Sequence, residues 1–534
     1  MITGAGTSNF FNVTINKDAA GQTVTNSGNA MSVGGNLTVT TGVLNLDATN
    51  ANTTITGNMD VASAGRITHN VNWDVSARLL SVGGNINIDG IFNYSVRSHV
   101  QMTGSGNKNV RTGTTAGSAF SILSLTTGNY YASGDLRMND NFWAMFSTAG
   151  SFHTNGNNVY ANGGALTAGG TLFVDGGTLN VSGGLMTGSG MAGALNISSG
   201  TLNTDFFNLG DGTVTGTAAQ SGGTFNITGN LTINSSCVFT CTNSPDINVG
   251  GNWTSNNNGG FVPANSLVTF NSTSVAQYIQ GTATTQNFST LNINKTGQTL
   301  NIAGSTVTIN TARININQGT LNAGTATAIN LTANWLNNGT YTEGAARVSF
   351  NGSVQQTISG SSVTTFNKLT VNNSADILLS ATDAVIDGGA NALTFTNGKI
   401  ITGANKLTLS ASTTIAGAGA GKYVFGILEW GISRGNVSRV FQIGDAANYT
   451  PVNLVFSNVT VTGNIAVFTT GTEHSNILSS QLSENRSVNR IYSVSNTGVS
   501  MAGYGATFNF VAGDVDAGAI TGQFIVGRYN GGWT

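Results

Sequence analysis

Charge is what this sequence has least of. Lys and Arg number 19 and Asp and Glu 21, so only 7% of the chain is charged, against about a quarter in ordinary soluble domains. The net charge is −2. No basic stripe follows the chain, which argues against a nucleic-acid partner, since that partner selects for clustered Lys and Arg. Proline occurs three times and cysteine twice. No apolar run approaches the roughly 18 residues that a membrane-spanning helix needs. The start, MITGAGTSNFF, has neither a basic n-region nor an apolar h-region, so no signal peptide is visible. Helix formers are scarce throughout.

The two cysteines stand four residues apart in CVFTC, at Cys237 and Cys241. On a straight strand they would lie roughly 13 Å apart, too far to bridge; a tight turn between them would allow a disulfide. Two small buried thiols or one turn staple are the expected states. With no histidine close in sequence they make a poor zinc site.

What fills the chain is glycine, 73 residues of it, with Asn, Thr and Ser where Lys and Glu would usually stand. Short Val/Ile/Leu/Thr runs are punctuated by Gly and Asn, the pattern of strands and turns. Disorder is the rival explanation for such polar, low-complexity sequence. A hydrophobic content of 39%, arranged in regular alternation, provides enough apolar surface to offset chain entropy.

The chain repeats itself. LVTFNSTSVAQYIQG, from Leu267, is answered by RVSFNGSVQQTISG, from Arg347. Val268 and Phe270 match Val348 and Phe350; Gln277 and Ile279 match Gln356 and Ile358; Phe288 matches Phe366. The period is about 80 residues, the mark of a stacked array. Val100 and Met102 carry an earlier copy, with Phe120 in the place of Phe288. The residues Phe10, Val13, Ile15, Asn16 and Lys17 match the back half of the unit alone, so the natural protein is expected to continue upstream. A second phrase, VGGN, ends at Asn36, Asn85 and Asn252, and Asn334 in LTANWLNNG echoes it. Between Ala161 and Asn234 strands of three to five residues put Leu179/Val181, Leu195/Ile197 and Phe225/Ile227 on one side and Asn180, Asn196 and Asn226 on the other.

Short strands, recurrent Gly/Asn corners and the lack of long hairpins favour a parallel β-solenoid over stacked sandwiches. Asn and Thr suit ladders in which each side chain bonds its copy one coil away. At roughly 20 residues per coil, about 20 coils rising ~4.8 Å each would make a rod near 100 Å long. From Lys422 the strands lengthen and aromatics and charges gather. The expected fold is therefore all-β: a solenoid over residues 1–421, then an antiparallel, Ig-like β-sandwich over 422–534. The last residues, GGWT, contain no evident cap.

Chemistry is thinly represented. Enzymes built on β-helices need paired carboxylates or a calcium cluster. Asp205 and Asp211 flank NLG, and Asp383 and Asp387 flank AVI, each isolated among neutral residues. Asp514 and Asp516 in GDVDAG alternate along the chain and form a candidate calcium loop without a full ligand set. His69, His99, His153 and His474 are scattered, none beside a Ser and Asp in a recognisable elbow. GAGAGK, ending at Lys422, resembles a phosphate loop only in glycine content. No cofactor is expected. The Phe10/Phe120/Phe288/Phe366 row reads as an internal stack. Trp253 and Trp335, flanked by polar residues, are the candidate ligand-facing rings. Thr-x-Thr pairs keep no fixed step, which argues against ice binding.

The phrases GGNWTSNNNGGF, LVTFNSTSVAQYIQG, NWLNNGTYTEGAARVSFNGSVQQTISG and the tail RVFQIGDAANYTPVNLVFSN…SVNRIYSVSNTG…GQFIVGRYNGGWT resemble repeats of very large cell-surface proteins of gliding and marine Bacteroidota. In that pattern a proline usually precedes Ile-Gly-Asp; here Gln442 stands there. The resemblance implies export to the cell surface, commonly by type IX secretion, and a role as adhesin, filament or stalk. The C-terminal sorting domain of such exports is not in this sequence. Expected partners are further copies of the chain in a fibre or bundle, and surface glycans or other cells. The alternative is a β-helix that binds or degrades polysaccharide.

Overall fold

The computed structural model describes residues 2, 6–27, 30–46, 51–69, 78–145 and 150–534. It is all-β, with a parallel solenoid of about 19 turns. Among the described residues helix is limited to three short 3-10 turns, the first Ile477–Ser479. Among the described residues no helix is long and apolar enough to cross a membrane. The chain divides into two compact units, residues 1–289 with 304–306, and 290–303 with 307–534.

In the first unit each coil is a triangle of three strands. One coil runs Phe207–Leu209, Gly216–Gln220 and Thr224–Ile227; we call its sides faces A, B and C. The next runs Leu231–Ile233, Val238–Cys241 and Asp246–Val249, and each strand pairs in parallel with its predecessor. Side chains alternate as the sequence implies. Leu179, Val181, Leu195, Ile197, Phe225 and Ile227 are buried. The outward asparagines bond in a ladder on face C: Asn203 Nδ2 donates to Asn180 Oδ1 at 2.7 Å, Asn226 to Asn203 at 2.8 Å, and Asn248 to Asn226 at 2.8 Å. The rungs are 22 or 23 residues apart, slightly more than the expected coil length.

The VGGN phrase has a structural cause. Its asparagine lies at a corner and accepts the backbone N–H of the residue stacked above it. Asn36 N–H reaches Asn12 Oδ1 at 2.7 Å, Asn58 N–H reaches Asn36, Asn85 N–H reaches Asn58, and Asn109 N–H reaches Asn85. Farther along, Asn252 N–H donates to Asn230 Oδ1 at 2.8 Å, and Tyr278 N–H to Asn252 at 3.0 Å. The preceding glycine makes room for this bond: a Cβ on Gly251 would lie 2.5 Å from Asn230 Oδ1. Asn230→Ala removes this exposed bond and is expected to destabilise its coil by about 0.5–1.5 kcal/mol. Faster amide exchange at Asn252, without change in distant coils, is the measurement that checks it.

Sequence period and coil period do not coincide. Ile86–Ile88, which follows Asn85, begins a run of parallel pairings that leads strand by strand to Val238–Cys241 on face B. Trp253–Ser255, which follows Asn252, continues Leu231–Ile233 on face A. The same phrase therefore opens different faces. An array repeating about every 80 residues, on coils of 22 to 27, returns to the same wording but not to the same side.

Each unit carries an aromatic trio of matching geometry. In the first, Trp253 lies 4.9 Å from Phe261 and 5.3 Å from Phe288, with Phe261 and Phe288 6.1 Å apart. In the second, Trp335 lies 4.7 Å from Tyr341 and 5.3 Å from Phe366, with Tyr341 and Phe366 6.1 Å apart. Gln277 and Gln356, the other shared residues, are fully buried. Gln277 Nε2 donates to the Val249 and Gly251 carbonyls, and Gln356 Nε2 to those of Leu331 and Ala333. Their oxygens accept from Ser272 and Gly352 N–H. A buried corner carbonyl without a donor is costly, and this amide supplies one. Phe10 differs from its copies. Phe120, Phe288 and Phe366 are buried but Phe10 is exposed, on a strand that pairs with Met31–Val33.

In the second unit parallel coils continue through Arg347–Phe350, Lys368–Asn372 and Leu393–Asn397. Val424–Ile432 is where the grammar changes. One edge pairs in parallel with Ile400–Leu409; along the other, Leu428 to Ile432 pair antiparallel with Gly463–Thr470. Gly463–Thr470 pairs antiparallel with Ile491–Thr497. A second antiparallel sheet joins Gly435–Phe441, Val452–Val459 and Gly503–Phe508.

Candidate functional site

Neither predicted ligand-facing tryptophan is available to a ligand. Trp253 and Trp335 are 0% exposed, at the centre of the aromatic trios, and Trp335 Nε1 donates to Thr364 Oγ1 at 3.2 Å. Their polar neighbours in sequence are the outward half of the strand alternation, which explains the difference. Asp514 is buried and committed to Arg490, which it holds through both oxygens at 2.6 and 3.0 Å. Asp516 accepts from Ser487 N–H at 2.8 Å and Asn489 Nδ2 at 2.8 Å. Each carboxylate of this candidate calcium loop thus has its own internal donors. Among the described residues no group of three or more His, Cys, Asp or Glu is placed to hold a metal.

The isolated acids act in turns. Asp211 Oδ1 accepts the N–H groups of Thr213 and Val214, and Oδ2 that of Gly190; these bonds, the Gly190 one foremost, hold its carboxyl well below the usual range. Asp205 accepts Thr228 Oγ1, and Asp383 accepts Lys406 N–H. Asp387 contributes its backbone carbonyl, to Ser410 Oγ. Cys237 and Cys241 are both free and buried. Burial pushes the Cys241 thiol up to about 12, so it stays protonated and unreactive.

Two places on the outer surface gather polar and aromatic groups. The first, on face B, was not legible from local sequence. His153 Nδ1 lies 2.6 Å from Asp175 Oδ2, and Nε2 lies 3.1 Å from Ser151 Oγ. Ser151 and His153 share the strand Ser151–His153, with Phe152 between them pointing inward. Asp175 comes from the next coil, 22 residues on. The His153 ring is sandwiched between Tyr131 at 4.6 Å and Phe173 at 4.3 Å, nearly parallel to both. These are the members and order of a hydrolytic triad. Ser151 Oγ lies between two acceptors, His153 Nε2 at 3.1 Å and Asn129 Oδ1 at 3.0 Å, and Asn129 Nδ2 is itself bonded to Asn107. With Nδ1–H given to Asp175, Nε2 is an acceptor, so Asn129 competes with His153 for the single serine proton. The Ser151 N–H is spent on the Gly128 carbonyl, so it gives no oxyanion donor. Burial raises the Asp175 carboxyl, but the bonds from Asn155 N–H, His153 and Thr154 outweigh that and leave it below the usual range. The group behaves as one more outward ladder, built from rings.

The chain finds no match among protein-family models, curated proteins or solved structures.

The second place is a cavity of about 250 Å³ on face C, lined by Tyr94, Ser118, Arg137, Asn139, Tyr160 and Asn162 among others. Arg137 and Tyr160 are in register on successive coils, and the guanidinium lies 5.1 Å from the ring centre. Phe120 bridges Met138, so Ala119 falls in the column that continues as Arg137 and Tyr160. A methyl group sits where the next two coils carry long side chains, with Gly117 and Ser118 beside it. The cavity is that missing rung. Arg137 is fixed by the Gly113 carbonyl at 2.7 Å and Asp135 at 2.7 Å.

Proposed function

We propose that the chain is structural: part of a cell-surface adhesin or extracellular fibre, in which the solenoid is a stiff spacer. The observation that carries this is the way the repeated residues are used. Trp253, Phe288 and Gln277 of one copy and Trp335, Phe366 and Gln356 of the next go to the interior, and the Asn of VGGN goes to bonds between coils. Repetition here builds stiffness, coil upon coil. The antiparallel sheets after residue 422 are read as an Ig-like sandwich that follows the solenoid. Export by the type IX route rests on the resemblance of the repeat and tail phrases. The reading assigns no catalysis, in keeping with the Ser151 N–H being spent on the Gly128 carbonyl. Outer faces with few charges repel one another little, so further copies of the chain are the favoured partners.

Electron micrographs of the native particle test this. Fibres or bundles of identical copies are expected. Isolated monomers in which carbohydrate occupies a cleft would instead favour the second reading, a polysaccharide-binding β-helix. The cavity beside Arg137 is the observation on that side.

A further inference from the structure

We propose that the face C cavity bounded by Tyr94 and Tyr160 binds one neutral pyranose ring of a polysaccharide. Its size fits the task. At about 250 Å³ it falls below the roughly 300–1,000 Å³ of pockets for drug-sized molecules, leaving space for a single ring with the rest of a glycan outside. Its lining fits as well. A sugar needs a flat apolar surface for its C–H face and fixed donors and acceptors for its hydroxyls. Tyr94 supplies a half-buried phenol ring that contacts no other aromatic ring among the described residues. Donors and acceptors are present and unspent. At the exposed rim Asn162 Nδ2 donates to Asn139 Oδ1 at 3.1 Å, which leaves Asn139 Nδ2 and Asn162 Oδ1 without partners among the described residues. The hydroxyls of Tyr94 and Tyr160 likewise have none there. A site of pre-positioned polar groups loses little entropy when it binds.

Charge decides the class of sugar. Arg137 is the only ionisable cation or anion in the lining, and Asp135 neutralises it at 2.7 Å. A uronate or sulfated sugar would bring a charge with no unpaired partner, whereas a neutral ring brings only hydroxyls. The site stands apart from the stalk reading: a fibre can carry such a cavity or lack it.

The test is titration of the full chain with cellohexaose, laminarihexaose and mannohexaose, and with hexagalacturonate as the charged comparison, followed by calorimetry or by tyrosine fluorescence. At least one neutral hexaose is expected to bind, and Tyr94→Ala to weaken it about tenfold or more through loss of the ring surface. Tyr94→Phe, which keeps the ring, is expected to retain most of the affinity and to report on folding, its melting temperature matching the parent's. Asn162→Asp introduces a charge and is expected to weaken neutral sugars without unfolding the coil. Absence of binding by all three neutral hexaoses at millimolar concentration overturns the proposal. So does preference for hexagalacturonate, or affinity indifferent to both Tyr94→Ala and Asn162→Asp.

Discussion

Arg490→Leu is expected to destabilise the C-terminal antiparallel region by about 3–5 kcal/mol, the cost of removing one partner from a buried ionic group. The Arg490 side chain is 0% exposed. Its Nε and Nη2 bond both oxygens of Asp514, Nη2 also meets Asp445 Oδ2 at 2.6 Å, and Nη1 reaches the hydroxyls of Thr450 and Thr469. Three separated stretches of sequence converge on that one guanidinium. Burial alone would raise the Asp445 carboxyl, but the Arg490 bond, with the N–H groups of Ala447 and Asn448, brings it below the usual range. Leucine would leave two enclosed carboxylates facing each other without a cation. Thermal unfolding followed together with amide exchange in Ile491–Thr497 measures the loss. Adding Asp445→Asn and Asp514→Asn to the leucine variant should recover part of it, because the uncompensated charges are then gone. An unchanged transition in Arg490→Leu would show that the cluster contributes nothing net.

Mild acid is expected to weaken the first unit before any carboxylate titrates. His69 and His99 are both buried. Burial, with the charge of His99 as a second cause, lowers His69 from 6.5 to about 4; burial likewise lowers His99 to about 4. His99 Nε2 bonds Ser124 Oγ at 2.7 Å, and its ring meets Trp143 edge-on at 5.4 Å. The unfolded chain binds these protons near pH 6.5 and the folded chain only near 4. Stability is therefore full above pH 6.5 and falls as the pH drops toward 4, by up to roughly 1.4 kcal/mol per pH unit for each histidine. Complete development amounts to on the order of 3 kcal/mol each. Denaturant midpoints between pH 7 and 5 isolate the effect from the acids, which titrate lower. A His69→Leu, His99→Gln double variant should lose most of the fall in stability across that window. A wild-type profile that is already flat would rule the pair out as the cause.

Much of the solenoid was legible because its rules are local. Period-two alternation settled which side of Thr224–Ile227 is buried, and Gly-Gly-Asn marked corners that the structure places between strands. The coil length came out short of the 22 to 27 residues seen in the first unit. The candidate sites fared differently. Trp253 and Trp335 sit among polar neighbours in sequence, yet those neighbours point the other way. His153 and Asp175 lie 22 residues apart and meet only because the chain completes one circuit between them. A search for Ser-x-His followed by an acid one coil later would have found them. The Arg137 cavity had no sequence signal at all, since it exists through what Ala119 does not fill. Arg490 lay in a recognised phrase, but its burial depends on contacts 24 and 45 residues away.

The mismatch between the 80-residue wording and the coil has a consequence for valency. Asn85 opens face B and Asn252 opens face A of the same unit. A lateral contact encoded beside that phrase is then offered in two directions, and neighbours recruited by successive copies stand at an angle to one another. If copies associate laterally as proposed, such a particle would cross-link its surroundings in three dimensions, where a repeat in step with the coil would lay copies side by side in a flat ribbon. Transverse sections of an assembly distinguish a lattice of that kind from a ribbon.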